Sequence, residues 1–254
     1  MRALFFIFVF LACMPLAACN EPANSTQTST TATSEPAVEA SKAAVVLLVD
    51  ISQSFAPLIK EDQDALNIVV SDLVALAQNT WEPPITFYWS MITSNSLYAT
   101  PPCGAAKRYQ QRLVARASTG TDITRPEILT AWMQECVNAI IKRSGSVEKF
   151  TDISGAIQLA AQSNGSVNGQ RVVIIYSDFA EDLAPGSEPT RFALHGETAV
   201  LLYRPDSTND RRSPNSLFDR LKAWETKLKE NGARTVCVRP IRGITPGSVA
   251  NCFS

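Results

Sequence analysis

The chain has 254 residues, of which 45% are hydrophobic and 19% are charged. This composition is typical of a globular protein and excludes a disordered or collagen-like one. Lysine and arginine number 23 against 24 aspartates and glutamates, and no basic run stands out, so we exclude nucleic acid as a partner. The one histidine, His195, argues against a histidine-rich zinc site or catalysis by paired histidines, but it leaves a carboxylate-bound metal possible.

The amino terminus has the features of an export signal. Arg2 precedes an apolar stretch at residues 4–11 that is too short to span a bilayer. The export signal closes with Leu16-Ala17-Ala18-Cys19. These four residues resemble the lipobox of bacterial lipoproteins, where the cysteine becomes the acylated first residue. We therefore predict a signal peptide at residues 1–18 and a lipid anchor on Cys19 that holds the protein in the cell envelope. Asn20 favours the periplasmic side of the outer membrane if the cell is Gram-negative. The alternative is a signal peptide that is cleaved elsewhere.

Residues 19–42 are small, polar or proline residues without apolar periodicity, which is typical of a flexible tether. The folded domain is then predicted at residues 43–254. Four cysteines remain in it: Cys103, Cys136, Cys237 and Cys252. An oxidising compartment favours disulfides, and four cysteines allow three pairings. We favour Cys103 with Cys136 and Cys237 with Cys252, because each pair is close in the order of the predicted elements.

Strands and helices alternate along this domain. Short apolar, β-branched runs predict strands at residues 44–49, 85–92, 171–176, 198–203 and 235–241. Helical spacing of apolar residues predicts helices at 57–77, 126–141, 152–162 and 217–228. Strands separated by helices imply an α/β, doubly wound fold, with a mostly parallel sheet and helices on both faces. Ligands of such sheets bind beyond the carboxyl ends of the strands.

Polar side chains gather at those strand ends. Asp50, Ser52 and Ser54 follow the first strand, Thr151 opens a helix, and Asp178 follows the strand at 171–176. These five residues resemble the metal-ion-dependent adhesion site (MIDAS) of the von Willebrand factor A (VWA) domain, and the likeness runs in order over residues 44–241. The resemblance implies a VWA-like fold in which Ser52 and Ser54 ligate Mg²⁺ or Mn²⁺ directly. It further implies that Asp50 acts through water, that Thr151 ligates when a partner is bound, and that Asp178 supports the other ligands.

The chain departs from that family pattern in two places. About 100 residues separate Asp50 from Thr151, so we expect an insertion around residues 95–145. Phe179 follows Asp178 where the family commonly has glycine. The segment at residues 120–123 echoes the Thr151 loop, so Thr121 is an alternative threonine ligand.

The residue types favour a hard dication independently of the resemblance. Mg²⁺ takes about six oxygen ligands and readily keeps waters, so short hydroxyl and carboxylate side chains suit it. Two carboxylates only partly neutralise the ion when neutral hydroxyls fill other positions, and an Asp or Glu of a protein partner can complete the shell. We therefore expect a membrane-anchored, extracytoplasmic binding module and not an enzyme, with no nucleotide bound. Glu181 and Asp182 follow Asp178 closely and are candidates for a further carboxylate, but we expect them to be solvent-facing loop charges.

Two other functions stay open. One is a metal-dependent hydrolase or phosphoryl-transfer enzyme, in which His195 would serve as a base. The sequence lacks the DxDxT, GxSxG and GxxxxGK[ST] patterns that such enzymes often use. The other is a scaffold domain with an unoccupied metal site.

Overall fold

A computed structural model describes residues 40–110, 121–144, 148–165, 167–205 and 216–253. The predicted signal peptide, Cys19 and nearly all of the predicted tether lie outside these residues. Within the described ranges, no helix combines the length and the apolar character that crossing a membrane requires.

A seven-stranded sheet forms the centre of the domain. Its strands are β1 (Ala43–Asp50), β2 (Ile85–Ile92), β3 (Lys107–Tyr109), β4 (Asp122–Ile123), β5 (Gln170–Ser177), β6 (Thr198–Tyr203) and β7 (Thr235–Pro240). They lie in the order β4-β3-β2-β1-β5-β6-β7, and all neighbours are parallel except β2 and β3. The expected mostly parallel, doubly wound α/β fold is confirmed.

Within the described ranges, five α-helices pack on the two faces of this sheet: α1 (Ala56–Glu61), α2 (Gln63–Asn79), α3 (Pro126–Arg143), α4 (Ile153–Asn164) and α5 (Ser216–Glu230). All eight residues of β1 are buried. Its side chains alternate between the two faces of the sheet, and helices cover both faces. Val45, Leu47 and Val49 join the apolar core under α1, α2 and α3. Val46 and Leu48 join the core under α4 and α5.

The region predicted as an insertion carries secondary structure of its own. Within residues 95–145 lie β3, β4 and α3, which extend one edge of the sheet and cover part of one face. Both favoured disulfides are present. The Cys103–Cys136 bond joins the loop before β3 to α3, and the Cys237–Cys252 bond joins β7 to a short 3-10 helix, Ala250–Cys252.

The predicted helix at residues 57–77 is wrong in one respect, because it is broken at Asp62. The backbone leaves the helical region there, with φ −96° and ψ 13°. The Asp62 carboxylate accepts two hydrogen bonds. One comes from the Tyr176 hydroxyl, and the other comes from Arg204, whose Nη1 lies 2.6 Å from Asp62 Oδ1. These partners come from β5 and from the end of β6, so the local apolar spacing does not show them.

Arg204 is the centre of a buried ionic cluster. It is 1% exposed, and its guanidinium also donates to the Leu58 carbonyl at 3.1 Å and to the Glu61 carboxylate. The two acidic partners differ in environment, because the Asp62 side chain is 6% exposed and the Glu61 side chain is 62% exposed. A buried charge that loses its partner is costly, whereas an exposed ion pair contributes little.

We predict that Asp62→Ala lowers the free energy of unfolding by about 3 to 5 kcal/mol, because Arg204 loses its buried counter-ion. The matched control Glu61→Ala removes the exposed partner of the same guanidinium and is expected to cost about 1 kcal/mol or less. Urea denaturation of both variants measures the difference. Equal losses would contradict the assignment of Asp62 as the principal partner.

Candidate metal centre

Two buried carboxylates meet at the carboxyl edge of the sheet. Asp50 ends β1 and Asp178 directly follows β5, and these strands are parallel neighbours. Both aspartates are 0% exposed. Ser177, the last residue of β5, donates from its hydroxyl to Asp50 Oδ2 at 2.6 Å. The sheet order therefore brings together two acidic residues that are far apart in the sequence.

The loop after β1 folds back over Asp50. The Ser52 amide donates to Asp50 Oδ1 at 2.8 Å, and the Ser52 carbonyl accepts from the amides of Phe55 and Ala56, which lead into α1. The hydroxyl oxygens of Ser52 and Ser54 are 3.4 Å apart. Adjacent oxygens around Mg²⁺ are about 2.9 Å apart at its usual ligand distances, so these two hydroxyls are close to the spacing that one ion requires.

Backbone hydrogen bonds tie the Thr151 loop to the loops after β1 and β5. The Gln53 amide donates to the Glu148 carbonyl at 2.8 Å, which joins the loop after β1 to the loop before α4. Thr151 and Asp182 exchange two amide-to-carbonyl bonds of 2.6 and 3.0 Å. The three loops are thus fixed against one another by their main chains.

The start of α4 is shaped by Asp152. Its Oδ1 accepts from the Gly155 amide at 2.7 Å and caps the helix. An added Cβ at Gly155 would lie 2.0 Å from Asp152 Oδ2. Glycine is therefore required there if Asp152 is to cap the helix that positions Thr151.

A cavity of about 840 Å³ opens over these loops, and Ser52, Ser54 and Thr151 are among its lining residues. Thr121 lies elsewhere. Its carbonyl accepts from the amide of Arg108 in β3. β3 pairs on one side with the amino-terminal half of β2 and on the other side with β4. Of the two threonines, the fold brings Thr151 to the site.

Several residues at the site carry no recognisable signal in the sequence. Glu181, expected to face solvent, instead accepts from the Ser154 amide at 2.7 Å, and its side chain is 16% exposed. Asp182 is exposed and lines the cavity, as do Lys149 and Arg220. For Ser177, the sequence does offer one signal. It is a hydroxyl residue at a strand end, directly before the predicted site residue Asp178.

The electrostatics of the two aspartates favour a bound cation. Burial, and then the neighbouring carboxylate of Asp178, raise the pKa of Asp50 to about 7, although hydrogen bonds from Ser177 and Ser52 act in the opposite direction. Two buried like charges destabilise the site unless a proton or a cation neutralises them. In the described part of the chain, no group of three or more His, Cys, Asp or Glu side chains is arranged to hold a metal. The five candidate ligands all carry oxygen donors, and this donor type fits Mg²⁺ or Mn²⁺.

Phe179, which departs from the family pattern, has a positive φ of 59°. Such a backbone costs a non-glycine residue roughly 1 to 2 kcal/mol. The ring is 1% exposed in the apolar core, the Phe179 amide donates to Ser177 Oγ at 2.9 Å, and its carbonyl accepts from Trp224 Nε1 at 3.1 Å. Burial and these two bonds stabilise the turn that carries Asp178.

No protein-family model and no curated protein matches the sequence. Solved structures that match include three bacterial proteins. The first is the vWF domain of the type V pili tip protein Mfa5 from Porphyromonas gingivalis, at 12% identity and TM-score 0.36, covering 56% of this chain and 39% of that one. The second is a von Willebrand factor type A protein from Catenulispora acidiphila, at 14% identity and TM-score 0.41, covering 84% of this chain and 41% of that one. The third is the pilus adhesin SpaC from Lactobacillus rhamnosus GG in an open conformation, at 9% identity and TM-score 0.47, covering 85% of this chain and 30% of that one. The chain thus spans less than half the length of each protein.

We predict that the metal-free protein loses stability as the pH rises from about 4 to about 7. The folded state holds the Asp50 proton more tightly than the unfolded state, so this contribution is present below the ordinary aspartate pKa and is lost as the pH passes the raised one. Urea denaturation in EDTA at pH 5 and pH 8 measures the loss. Asp50→Asn cannot ionise, so its loss is expected to be smaller. An equal loss of the free energy of unfolding between pH 5 and pH 8 in the wild type and in Asp50→Asn would contradict the burial of an ionisable pair.

Proposed function

We propose that the chain is an extracytoplasmic binding module that recognises a protein partner through Mg²⁺ or Mn²⁺. The ion would be held by Asp50, Ser52, Ser54, Thr151 and Asp178. The observation that carries the proposal is the buried pair Asp50 and Asp178, which accept hydrogen bonds from the amides of Ser52 and Ala180 in the loops that line the cavity. Two carboxylates under neutral hydroxyls match a hard dication that keeps further coordination positions open.

Each part of the site has a distinct role in this proposal. Asp50 and Asp178 supply negative charge from below, and the Ser177 hydroxyl orients Asp50. Ser52, Ser54 and Thr151 supply uncharged oxygens at the cavity floor. When bound, the ion offers a coordination position to a carboxylate oxygen of the partner. The backbone bridges between the loops hold the hydroxyl oxygens in place before binding, which lowers the entropic cost of association.

We propose binding without turnover. His195 precedes β6 and thus lies at the amino edge of the sheet, opposite the candidate site. Its amide donates to Glu197 and its carbonyl accepts from Arg171 at 2.6 Å. The histidine considered as a general base therefore belongs to the other end of the molecule. With p-nitrophenyl phosphate as the probe, in millimolar Mg²⁺, we expect no hydrolysis above the uncatalysed rate.

Titration calorimetry and thermal unfolding with Mg²⁺ and Mn²⁺ test the metal site. We expect either ion to raise the melting temperature of the wild-type protein, since it binds only the folded state. Asp50→Asn is expected to lose this shift. The control Asp64→Asn removes the same charge from an exposed position on α2 and is expected to retain the shift. Absence of heat and of any shift in the wild type at millimolar ion would leave a scaffold domain and refute the proposal.

Metal-dependent recognition has its own measurement. A short peptide with one internal aspartate is expected to bind in millimolar Mg²⁺ and to dissociate in EDTA. The same peptide with asparagine is the control. Binding of both peptides, or binding that survives EDTA, would contradict recognition of a carboxylate through the ion.

We also propose that lipid on Cys19 anchors the protein to the cell envelope, facing the periplasm in a Gram-negative cell. Metabolic labelling with an alkyne fatty acid tests this. We expect the wild type to be labelled and to fractionate with membranes, because several acyl chains hold a protein firmly. Cys19→Ser is expected to lose the label. Cys13→Ser, within the predicted signal peptide, is the control and is expected to be labelled. A label that persists in Cys19→Ser would refute the anchor.

A further inference from the structure

The cavity over the candidate metal centre has charged side chains of both signs in its wall. Among the described residues that line it, Lys149 and Arg220 are cationic, and Glu181 and Asp182 are anionic. The two buried aspartates of the site would together balance the charge of a bound dication. The charges in the wall therefore decide which further groups a partner can present beside the ion.

Two of these four side chains are engaged by the protein itself. The Arg220 guanidinium donates to the Asp178 carbonyl at 3.0 Å and to the Ser216 hydroxyl at 2.7 Å. The Glu181 carboxylate lies 3.5 Å from Lys227 Nζ. Because both groups already stabilise the fold around the site, we assign neither of them to a partner.

Lys149 differs from these two residues. It is exposed, and its Nζ lies 5.2 Å from the centroid of the Phe150 ring. Within the described ranges, the Lys149 ammonium group has no hydrogen bond and no ion pair, and the same holds for the Asp182 carboxylate in the same wall. The positive charge of Lys149 is therefore available to a group that enters the cavity.

The main chain next to Lys149 is fixed, although its side chain is exposed. The Glu148 carbonyl accepts from the Gln53 amide at 2.8 Å, and the Glu148 carboxylate accepts from the Ser94 hydroxyl at 2.8 Å. Thr151, two residues after Lys149, is a candidate ligand of the ion. Since two residues of chain span at most about 7 Å, Lys149 stays close to any segment that binds at the metal centre.

We propose that Lys149 forms a second acid-binding subsite, so that the partner presents an acidic peptide segment with two carboxylates. One carboxylate would complete the metal shell, and the other would pair with the ammonium group of Lys149. An exposed pair of this kind contributes to specificity more than to affinity. This inference rests on the proposed metal-dependent function and names the class of partner for it.

Calorimetry with short peptides at saturating Mg²⁺ and low ionic strength tests the subsite on the full chain. The reference peptide carries one aspartate among glycines, and three others carry a second aspartate one, two or three positions further along. We expect at least one of the two-acid peptides to bind about two- to fivefold more tightly than the reference, which is the range of an exposed ion pair. Replacing its second aspartate by asparagine is expected to remove the gain. Equal affinity for all peptides would overturn the subsite.

Charge reversal assigns the gain to Lys149. Lys149→Gln is expected to remove the preference for two acids. Lys149→Glu is expected to invert it, so that a peptide with lysine at the second position binds more tightly than the two-acid peptide. A purely structural role of Lys149 would not exchange the preferred charge in this way. A preference for two acids that survives in both variants would overturn the assignment.

Two matched controls accompany these variants. Lys60→Gln removes the same charge from an exposed position on α1, outside the cavity lining, and is expected to keep the preference. Asp182→Asn removes an anion that would repel a second acid, while the backbone bonds between Asp182 and Thr151 can remain, so it is also expected to keep the preference. A loss in either control equal to the loss in Lys149→Gln would contradict a specific role of Lys149.

The measurements separate this inference from the proposed function. Failure of Mg²⁺ to bind the wild type, or of the reference peptide to bind in Mg²⁺, refutes the metal-dependent module itself. Binding of the reference peptide without any gain from a second aspartate refutes the Lys149 subsite alone. Thermal unfolding checks that each variant folds, and the aspartate-to-asparagine comparison on the wild type decides whether a second acid is recognised even if one variant does not fold.

Discussion

The site depends on the burial of two carboxylates side by side. Asp50 and Asp178 are both removed from solvent, and the position of β5 next to β1 leaves them adjacent. Burial and the neighbouring carboxylate of Asp178 raise the pKa of Asp50. The fold keeps this arrangement with neutral donors from Ser177 and Ser52. A dication held there would offset the repulsion and keep open positions for a partner, which is the physical basis of the proposed function.

Two aromatic residues connect the loop after β1 to the rest of the core. Phe55, one residue after Ser54, packs edge-on against Tyr176, with ring centroids 4.7 Å apart. Burial and the hydrogen bond to Asp62 raise the pKa of Tyr176, so its hydroxyl stays protonated as a donor. The ionic cluster around Arg204 therefore supports the back of the same loop whose hydroxyls face the cavity.

The turn after β5 links the candidate metal centre to α5. The left-handed backbone at Phe179 directs Asp178 inward, while the carbonyls of Asp178 and Phe179 accept from Arg220 and Trp224 of α5. A glycine at position 179 would adopt this turn without strain but would contribute no buried ring. One short segment therefore joins the acidic pair to α5.

Local pattern alone determined most of the framework. The apolar runs of the five main strands and the spacing of the main helices identified the doubly wound fold, because burial on two faces and helical periodicity are written in neighbouring residues. Since parallel strands end at one edge, the same pattern also pointed to Asp50, Ser52, Ser54 and Asp178, and the resemblance to the VWA metal site added Thr151. Only the tertiary structure decided the break at Asp62, the edge strands β3 and β4, the position of Thr151 at the cavity with Thr121 away from it, and the contacts of Glu181. Each of these depends on hydrogen bonds or ion pairs between residues distant in the chain, and such contacts leave no periodic trace in the sequence around them.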